Sequence, residues 1–196
     1  MRVSREQAAE NRKRIVDVAA RLFREGGIAT TGVDTVMNAA GLTHGGFYTH
    51  FESKDKLVTE ACSQSLARSL EKWTALAEKK NPLKAIMEHY LSERHRDNPG
   101  DGCLIAALAT EASRSKPEVR QVITEGIKSL LGVLESNAPG RDKKSKRVNA
   151  VSMFTAMIGA IAMARAVDDP VLSKEILSTA SKTLEAAYSS EGTASK

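Results

Sequence analysis

The chain has 196 residues, a formal net charge of +5 at pH 7 and only 4% aromatic residues. This length is enough for a compact module and one larger domain with a core of its own. We find no apolar run long enough to span a bilayer and no basic-then-apolar leader, which predicts a cytoplasmic protein without a membrane partner. The separated Cys62 and Cys103 fit a reducing compartment better than a disulfide framework.

The start of the chain is basic, with five basic and two acidic side chains in the first fourteen residues. Such an arm could lie along a phosphate backbone, or it could be a solvated, frayed terminus. The basic residues are Arg2, Arg5, Arg12, Lys13 and Arg14. Apolar residues then recur at helical spacing from Ile15 to Phe23, which predicts a first helix ending at Gly26 and Gly27.

The segment from Gly32 to Leu57 is typical of two short helices joined by a glycine turn. Apolar residues spaced i, i+3, i+4 and i+7 predict a helix after Thr31 that ends at Gly41. These apolar residues are Val33, Val36, Met37 and Ala40. Thr43 is placed to cap a second helix that runs from about His44 to His50.

This second short helix has an unusual composition, because only Phe47 and Phe51 are clearly apolar. Its outer face carries Thr43, His44, Gly45, Gly46, Tyr48, Thr49 and His50. Each glycine weakens a helix by up to about 1 kcal/mol relative to alanine, and close approach to DNA would explain both. Short polar side chains on such a helix suit the major groove. The alternative is an ordinary helical hairpin whose glycines serve only turns and packing.

Three motifs in correct order and spacing make residues 12 to 57 resemble the DNA-binding domain of TetR-family repressors. They are Ile15-x-x-x-Ala19-x-x-Leu22-Phe23-x-x-x-Gly27, Ala40-Gly41-Leu42-Thr43-x-Gly45 and Tyr48-x-His50-Phe51-x-Ser53-Lys54-x-x-Leu57. The resemblance implies that the second short helix enters the major groove, while Thr43, Tyr48 and Lys54 contact phosphates.

Base reading would then depend mainly on the remaining outer residues, which are His44, Gly45, Gly46 and Thr49. Thr31 and His50 complete the set of candidate DNA-binding residues. Gly46 departs from many relatives, which carry a side chain there. Fewer base-edge hydrogen bonds and more reliance on DNA shape are expected to follow.

The rest of the chain is helical in its periodicity, with no convincing strand. Ser53 is placed to cap a long helix that reaches Trp73. Prolines mark three further helix starts, at Asn81-Pro82, Lys116-Pro117 and Asp169-Pro170. The predicted fold is all-α, with a three-helix helix-turn-helix DNA-binding domain at residues 1–52. A larger helical ligand-binding and dimerisation domain is predicted at residues 53–196.

The segment from Val148 to Val167 is apolar around most of its circumference, so it must be buried on more than one side. With a following helix from Pro170 to about Ser189, it would form half of a four-helix homodimer interface, and the alternative is a core helix in a monomer. The basic run from Arg141 to Arg147 precedes it and is expected to be a solvated loop, or alternatively a second basic patch.

Residues for an effector pocket are hard to assign because aromatics are scarce. Candidate lining residues are Trp73, Met87, Tyr90, Phe154 and Met157, which could equally be plain core. Cys103 is a sixth candidate, expected in the first turn of a helix capped by Asp101, where the dipole favours a thiolate. Some TetR-family members with a similar Gly-Cys-Leu segment sense oxidants or electrophiles. A buried structural cysteine is the alternative.

The sequence predicts a one-component regulator that represses from a palindromic double-stranded operator and is released by a small-molecule effector or by Cys103 modification. The alternative is a helix-turn-helix DNA binder without a ligand switch. Catalysis is not expected, because GxSxG, GxxxxGK, HExxH and paired CxxC motifs are absent. The histidines lack metal-ligand spacing, and His89 and His95 are expected on solvated faces. No metal or cofactor is therefore predicted.

Overall fold

The computed structural model describes residues 4–188, which fold into helices and turns without a strand. Their α-helices are α1 (Arg5–Gly26), α2 (Val33–Ala39), α3 (Phe47–His50), α4 (Lys54–Ala77), α5 (Pro82–Tyr90), α6 (Glu93–Asp97), α7 (Leu104–Ala112), α8 (Pro117–Asn137), α9 (Lys143–Ala166) and α10 (Pro170–Tyr188). The all-helical prediction is confirmed. Arg2 of the basic arm and the predicted end at Ser189 lie outside the described residues.

The chain divides into two compact units. The first unit combines the residues up to 68 with residues 99–125, and the second combines residues 69–98 with those from 126 onward. Helices α4 and α8 each contribute to both units. The boundary at residues 52 and 53 stays a prediction.

Helix α1 forms the core of the first unit because its apolar residues share one face. Ser4 caps it, accepting a hydrogen bond from the backbone N–H of Gln7 at 3.1 Å. Ile15, Ala19 and Phe23 are fully or almost fully buried. The helix ends at Gly26, as the sequence predicts.

Helix α2 and the turn after it also follow the prediction. Val36 and Met37 are buried, and the helix ends before Gly41, whose φ of +68° lies in the left-handed region. That conformation carries a penalty for side chains with a Cβ, so glycine suits it. The backbone N–H of Leu42 then closes the turn on the carbonyl of Met37 at 2.9 Å.

The second short helix lies where it was predicted, but its first turn is different. Residues His44–Gly46 form a 3-10 turn, and α3 follows directly from Phe47. Thr43 holds the N-cap position of this turn, as predicted, but its side chain makes no capping hydrogen bond. Two consecutive glycines have low α-helix propensity, which accounts for the tighter turn.

Helix starts after Ser53 and at three prolines are confirmed. The Ser53 hydroxyl accepts a hydrogen bond from the backbone N–H of Lys56 at 3.3 Å at the start of α4. Helices α5, α8 and α10 begin at Pro82, Pro117 and Pro170. Proline is favoured in a first turn because its missing N–H would be unsatisfied there in any case.

Two predicted helix boundaries are wrong. Asp101 does not cap α7, because it lies in a 3-10 turn at Pro99–Asp101, and Cys103 itself holds the capping position before Leu104. The basic run is not a loop, since α9 already begins at Lys143. Reciprocal hydrogen bonds between Asp142 and Ser145 form a capping box there, which starts the helix earlier than the apolar pattern indicates.

Helix α9 provides the core of the second unit, with Met153, Met157 and Ile161 fully buried. Among the described residues, it is the helix whose length and composition would also allow it to cross a membrane. The prediction that no apolar run is long enough is therefore wrong by this criterion. A helix packed inside a protein core meets the same criterion, so this is weak evidence for a membrane span.

Candidate nucleic-acid interface

The inner face of α3 is fixed by two aromatic rings. Phe47 and Phe51 are buried, and their rings stack with centroids 5.6 Å apart. Burial of aromatic side chains stabilises such a short helix far more than its own hydrogen bonds do. The inner face therefore forms as the sequence predicts, and the opposite face is directed away from the core.

The outer residues of this segment are accessible. Tyr48 is 67% exposed, although it is a large aromatic residue. Thr43, His44, Gly45 and Thr49 are also exposed, while Gly46 and His50 are partly exposed. A Cβ placed on Gly45 would meet no atom within 4 Å, so internal packing does not require glycine there.

Two predicted DNA-binding residues are engaged with the turn between α1 and α2. Thr31 is only 6% exposed, and its hydroxyl donates a hydrogen bond to the carbonyl of Gly27 at 2.7 Å. The Lys54 ammonium donates a hydrogen bond to the carbonyl of Ile28 at 2.6 Å. Both residues therefore contribute to holding this turn. Lys54 keeps further N–H donors, because an ammonium group has three.

His44 has a partner that the sequence did not reveal. Its Nδ1 pairs with the Oδ1 of Asp34, in the first turn of α2. The ring of Tyr48 lies edge-on to the His44 ring, with centroids 6.2 Å apart. A carboxylate ten residues before a histidine is no recognised motif, so Asp34 could be found only from the fold.

His50 lies near the positive charge of Arg12. Partial burial, and to a lesser extent this guanidinium, lower the pKa of His50. The Arg12 guanidinium lies 4.6 Å from the centroid of the Phe51 ring and pairs with Glu60 at 2.5 Å. Arg12 thus links the basic start of α1 to both the second short helix and α4.

Helix α7 is connected to the first helices by Glu111. Its carboxylate accepts hydrogen bonds from the backbone N–H groups of Ile28 and Ala29, at 2.8 and 3.1 Å. Arg24 makes a second connection, as its Nε donates to the carbonyl of Gly100 at 2.8 Å. These contacts lie within the first unit, which therefore contains more than the three helices of the predicted DNA-binding domain.

Two segments of the amino-acid sequence match the models of known families. Residues 15–61 match the model described as bacterial regulatory proteins, tetR family, and residues 79–180 match the tetracyclin repressor-like, C-terminal domain. The chain belongs to the TetR family. The helix-turn-helix of this TetR-family chain lies within the first matched segment.

Curated relatives agree over parts of the chain. The HTH-type transcriptional regulator AcrR of Shigella flexneri is 41% identical over 59 residues, which are 30% of this chain and 27% of the relative. The uncharacterized HTH-type transcriptional regulator YerO of Bacillus subtilis is 29% identical over 104 residues, which are 52% of this chain and 36% of the relative. The chain thus spans about a third of the length of these relatives.

Solved structures of two other proteins share the fold over most of the chain. The reduced form of Escherichia coli NemR has a TM-score of 0.79 at 18% identity and covers 94% of this chain and 100% of its own. Bacillus subtilis FadR in complex with stearoyl-CoA has a TM-score of 0.62 at 19% identity. The match covers 86% of this chain and 96% of the FadR chain. At these identities the likeness concerns the fold alone.

Five of the six predicted effector residues lie in the second unit, and all five are buried. Trp73 makes edge-to-face contacts with Tyr90 and Phe154, with ring centroids 5.8 and 5.4 Å apart. Met87 and Met157 are the other two. The rings of Trp73, Tyr90 and Phe154, which we call the aromatic cluster, lie in contact, and the assignment of these residues to an effector pocket stays a prediction.

His95 is 9% exposed, so its predicted place on a solvated face is wrong. Its Nδ1 lies 2.6 Å from the carbonyl of Tyr90, and the Arg165 guanidinium donates a hydrogen bond to the backbone carbonyl of His95 at 2.6 Å. Burial lowers the pKa of His95 to about 4, although the Tyr90 carbonyl opposes this shift. The prediction failed because the other residues of α6 are charged, and a run of charged residues gives no signal that His95 faces inward.

Both cysteines are buried and belong to the first unit. Cys62 is fully buried, and this burial raises the pKa of its thiol to about 12. Cys103 is 7% exposed at the start of α7. Among residues 4–188, no three metal-ligating side chains are grouped so that they could hold a metal ion.

Proposed function

We propose that this chain is a one-component transcriptional repressor that binds a palindromic double-stranded operator as a homodimer. The observation that carries this proposal is the second short helix, whose aromatic inner face is buried while its polar outer face is exposed. A polar helix face of this kind fits the major groove. Family membership supports the same function.

Each candidate residue has a role in this proposal. Thr43, Tyr48 and Lys54 bind phosphates and fix the position of the helix on the duplex. His44 and Thr49 contact base edges, while Gly45 and Gly46 allow the backbone to approach them closely. Thr31 supports the turn that holds α2, and His50 contributes to the rim of the interface. The exposure of Gly45 supports this assignment, because no neighbour fills the space beside it.

The homodimer is proposed to form through α9 and α10. These two helices expose large apolar side chains, which are Val148, Val151, Met163, Val171 and Leu172. Exposed apolar groups on one pair of helices favour burial against a second copy. Two recognition helices related by a two-fold axis would then read two half-sites about one DNA turn apart. A cytoplasmic location follows from this function, since the operator lies there.

An effector with an apolar part is proposed to bind next to the aromatic cluster and release the repressor. FadR of Bacillus subtilis, which shares the fold, was solved with stearoyl-CoA, whose acyl chain is apolar. The aromatic cluster supports contact with an apolar group here. Modification of Cys103 is a second proposed trigger, and its burial requires that the start of α7 opens first. The NemR structure, a reduced form, makes this trigger worth testing.

Selection from a library of randomised duplexes tests the function directly. A repressor should enrich a palindromic motif, and the purified protein should bind one motif per dimer. Candidate apolar ligands can then be followed through the emission of Trp73, the single tryptophan of the chain. A Trp73 signal together with loss of operator binding supports the ligand switch. Operator binding that no ligand or thiol reagent alters would favour a DNA binder without a switch.

A further inference from the structure

We propose that Asp34 is a positioning residue for operator specificity and that it acts through His44. By holding His44 Nδ1, Asp34 makes Nε2 of the neutral ring a hydrogen-bond acceptor for an exocyclic amino group of a base. The inference rests on the proposed function, because it concerns how the second short helix reads an operator.

The geometry around His44 restricts its ring on two sides. Nδ1 pairs with the Oδ1 of Asp34, and the ring of Tyr48 lies edge-on at 6.2 Å and 72°. A partner on one ring nitrogen fixes both the orientation and the tautomer of an imidazole. Nε2 is therefore the nitrogen that remains to contact DNA, and its position is set before DNA arrives.

His44 is also the one residue of its turn, His44–Gly46, that carries a side chain. The next two residues are Gly45 and Gly46, which have none. A Cβ at Gly45 would find no atom within 4 Å, so nothing covers this side of the turn. Because the other two residues of this turn are glycines, the choice of base at this position depends largely on whether the imidazole of His44 donates or accepts a hydrogen bond.

The chemistry of the neutral ring determines which bases it can contact. When Nδ1–H is donated to the Asp34 carboxylate, Nε2 carries a lone pair and no hydrogen. The amino donors in the major groove are N4 of cytosine and N6 of adenine, whereas guanine O6 and N7 and thymine O4 are acceptors. With Nδ1–H donated to Asp34, Nε2 thus favours cytosine or adenine on the strand that His44 faces. An imidazole without Asp34 could adopt either tautomer and would discriminate less.

Stability alone does not explain this pair. The side chains of Asp34 and His44 are 72% and 54% exposed, and an exposed polar pair of this kind contributes little to folding. Asp34 does lie in the first turn of α2, where a negative charge is favourable. That role would change the melting temperature but not the choice of base.

The test is selection from randomised duplexes at pH 8 with the full chain and four variants. These are Asp34→Ala, Asp34→Asn, His44→Ala and, as a control on an exposed position of α2, Asn38→Ala. We expect the alanine variants of Asp34 and His44 to lose about tenfold of the preference at the same base pair of each half-site. Asparagine at position 34 should retain part of it, because its amide oxygen can accept the Nδ1–H. The control should keep the wild-type profile.

Several results would overturn the inference. They are an unchanged profile in Asp34→Ala, a loss at a different base pair from that of His44→Ala, or a wild-type preference for guanine or thymine at the His44 position. A fifth protein that combines Asp34→Ala with His44→Ala would also contradict it if it loses more preference than His44→Ala, since Asp34 acts only through His44. If the wild type enriches no motif at all, the proposed function itself is wrong, and this outcome is distinct from the others. Thermal melting of each variant separates loss of specificity from loss of fold.

Discussion

The carboxylate of Glu111 accepts a hydrogen bond from the backbone N–H of Ile28 at 2.8 Å, and thereby joins α7 to the turn after α1. A second N–H, from Ala29, binds the same oxygen at 3.1 Å. Sequence separation between these residues is more than eighty positions, so the contact is a property of the folded chain. Movement of α7 would be transmitted to the turn that precedes α2.

Replacement of Glu111 by alanine should lower the free energy of unfolding by about 1–3 kcal/mol, because two backbone donors lose a charged acceptor. Glutamine should cost less, since it keeps one oxygen acceptor. Urea unfolding followed by circular dichroism measures both, with Glu71→Ala as a control at an exposed position of α4. An alanine variant with the wild-type midpoint would show that the two hydrogen bonds contribute nothing to stability.

Buried His95 should make stability depend on pH. Burial lowers the pKa of His95 to about 4, whereas an unfolded histidine titrates near 6.5. Between these values the unfolded chain binds a proton that the folded chain does not. The contribution of His95 to the free energy of unfolding is therefore complete above about pH 6.5 and is lost as the pH falls toward 4. The loss amounts to about 2 kcal/mol between pH 7.5 and 5.

Urea unfolding at these two pH values checks this prediction. His95→Asn keeps an N–H donor for the Tyr90 carbonyl but does not titrate in this range, so its pH dependence should be smaller by about that amount. His89 is half-buried, and burial lowers its pKa also, so some pH dependence should remain. Equal pH dependence in the wild type and in His95→Asn would contradict the buried position of His95.

The outline of the fold could be predicted because the local signals agree. Proline and serine mark the helix starts at Pro82, Pro117 and Pro170 and after Ser53, and each helix begins there. Gly41 adopts the left-handed conformation that its place in the turn indicates. These signals depend on neighbours a few residues away, which a sequence records directly.

The remaining features depend on distant or reciprocal contacts. The hydrogen bonds of Asp142 with Ser145 convert a charged run into the start of α9, and charge alone indicates only solvation. Residues such as Asp34 and Glu111 acquire partners only after the helices pack. Thr31 is a candidate DNA-binding residue in the sequence, and only the structure places its hydroxyl on the Gly27 carbonyl.

Cys62 should be less reactive than an unfolded thiol. Burial raises the pKa of Cys62 to about 12, while an ordinary thiol titrates near 8.5. Because the thiolate reacts, alkylation of Cys62 at pH 8 should be at least about a thousandfold slower in the native chain than in urea. The Cys103→Ser variant isolates Cys62, and Cys62→Ser reports Cys103. Equal native and unfolded rates for Cys62 would contradict its burial.

An acidic substitution on the exposed face of α9 should break the proposed homodimer. Met163 is 59% exposed, and a glutamate there would place a charge in an apolar interface. We expect Met163→Glu to weaken dimerisation at least about a hundredfold, measured by sedimentation velocity over a range of concentrations. Arg120→Glu, at an exposed position of α8, should remain dimeric. A fully dimeric Met163→Glu protein would show that this face is not the interface.

The most direct test of the whole account is fluorescence anisotropy of the purified protein on a duplex recovered by selection, compared with a scrambled duplex over a range of salt. We predict tight binding to the selected duplex alone. Its affinity should fall about a thousandfold or more between 50 and 200 mM salt, as expected when six or more phosphates are contacted. Equal, weak binding to both duplexes would contradict sequence-specific operator recognition by this chain.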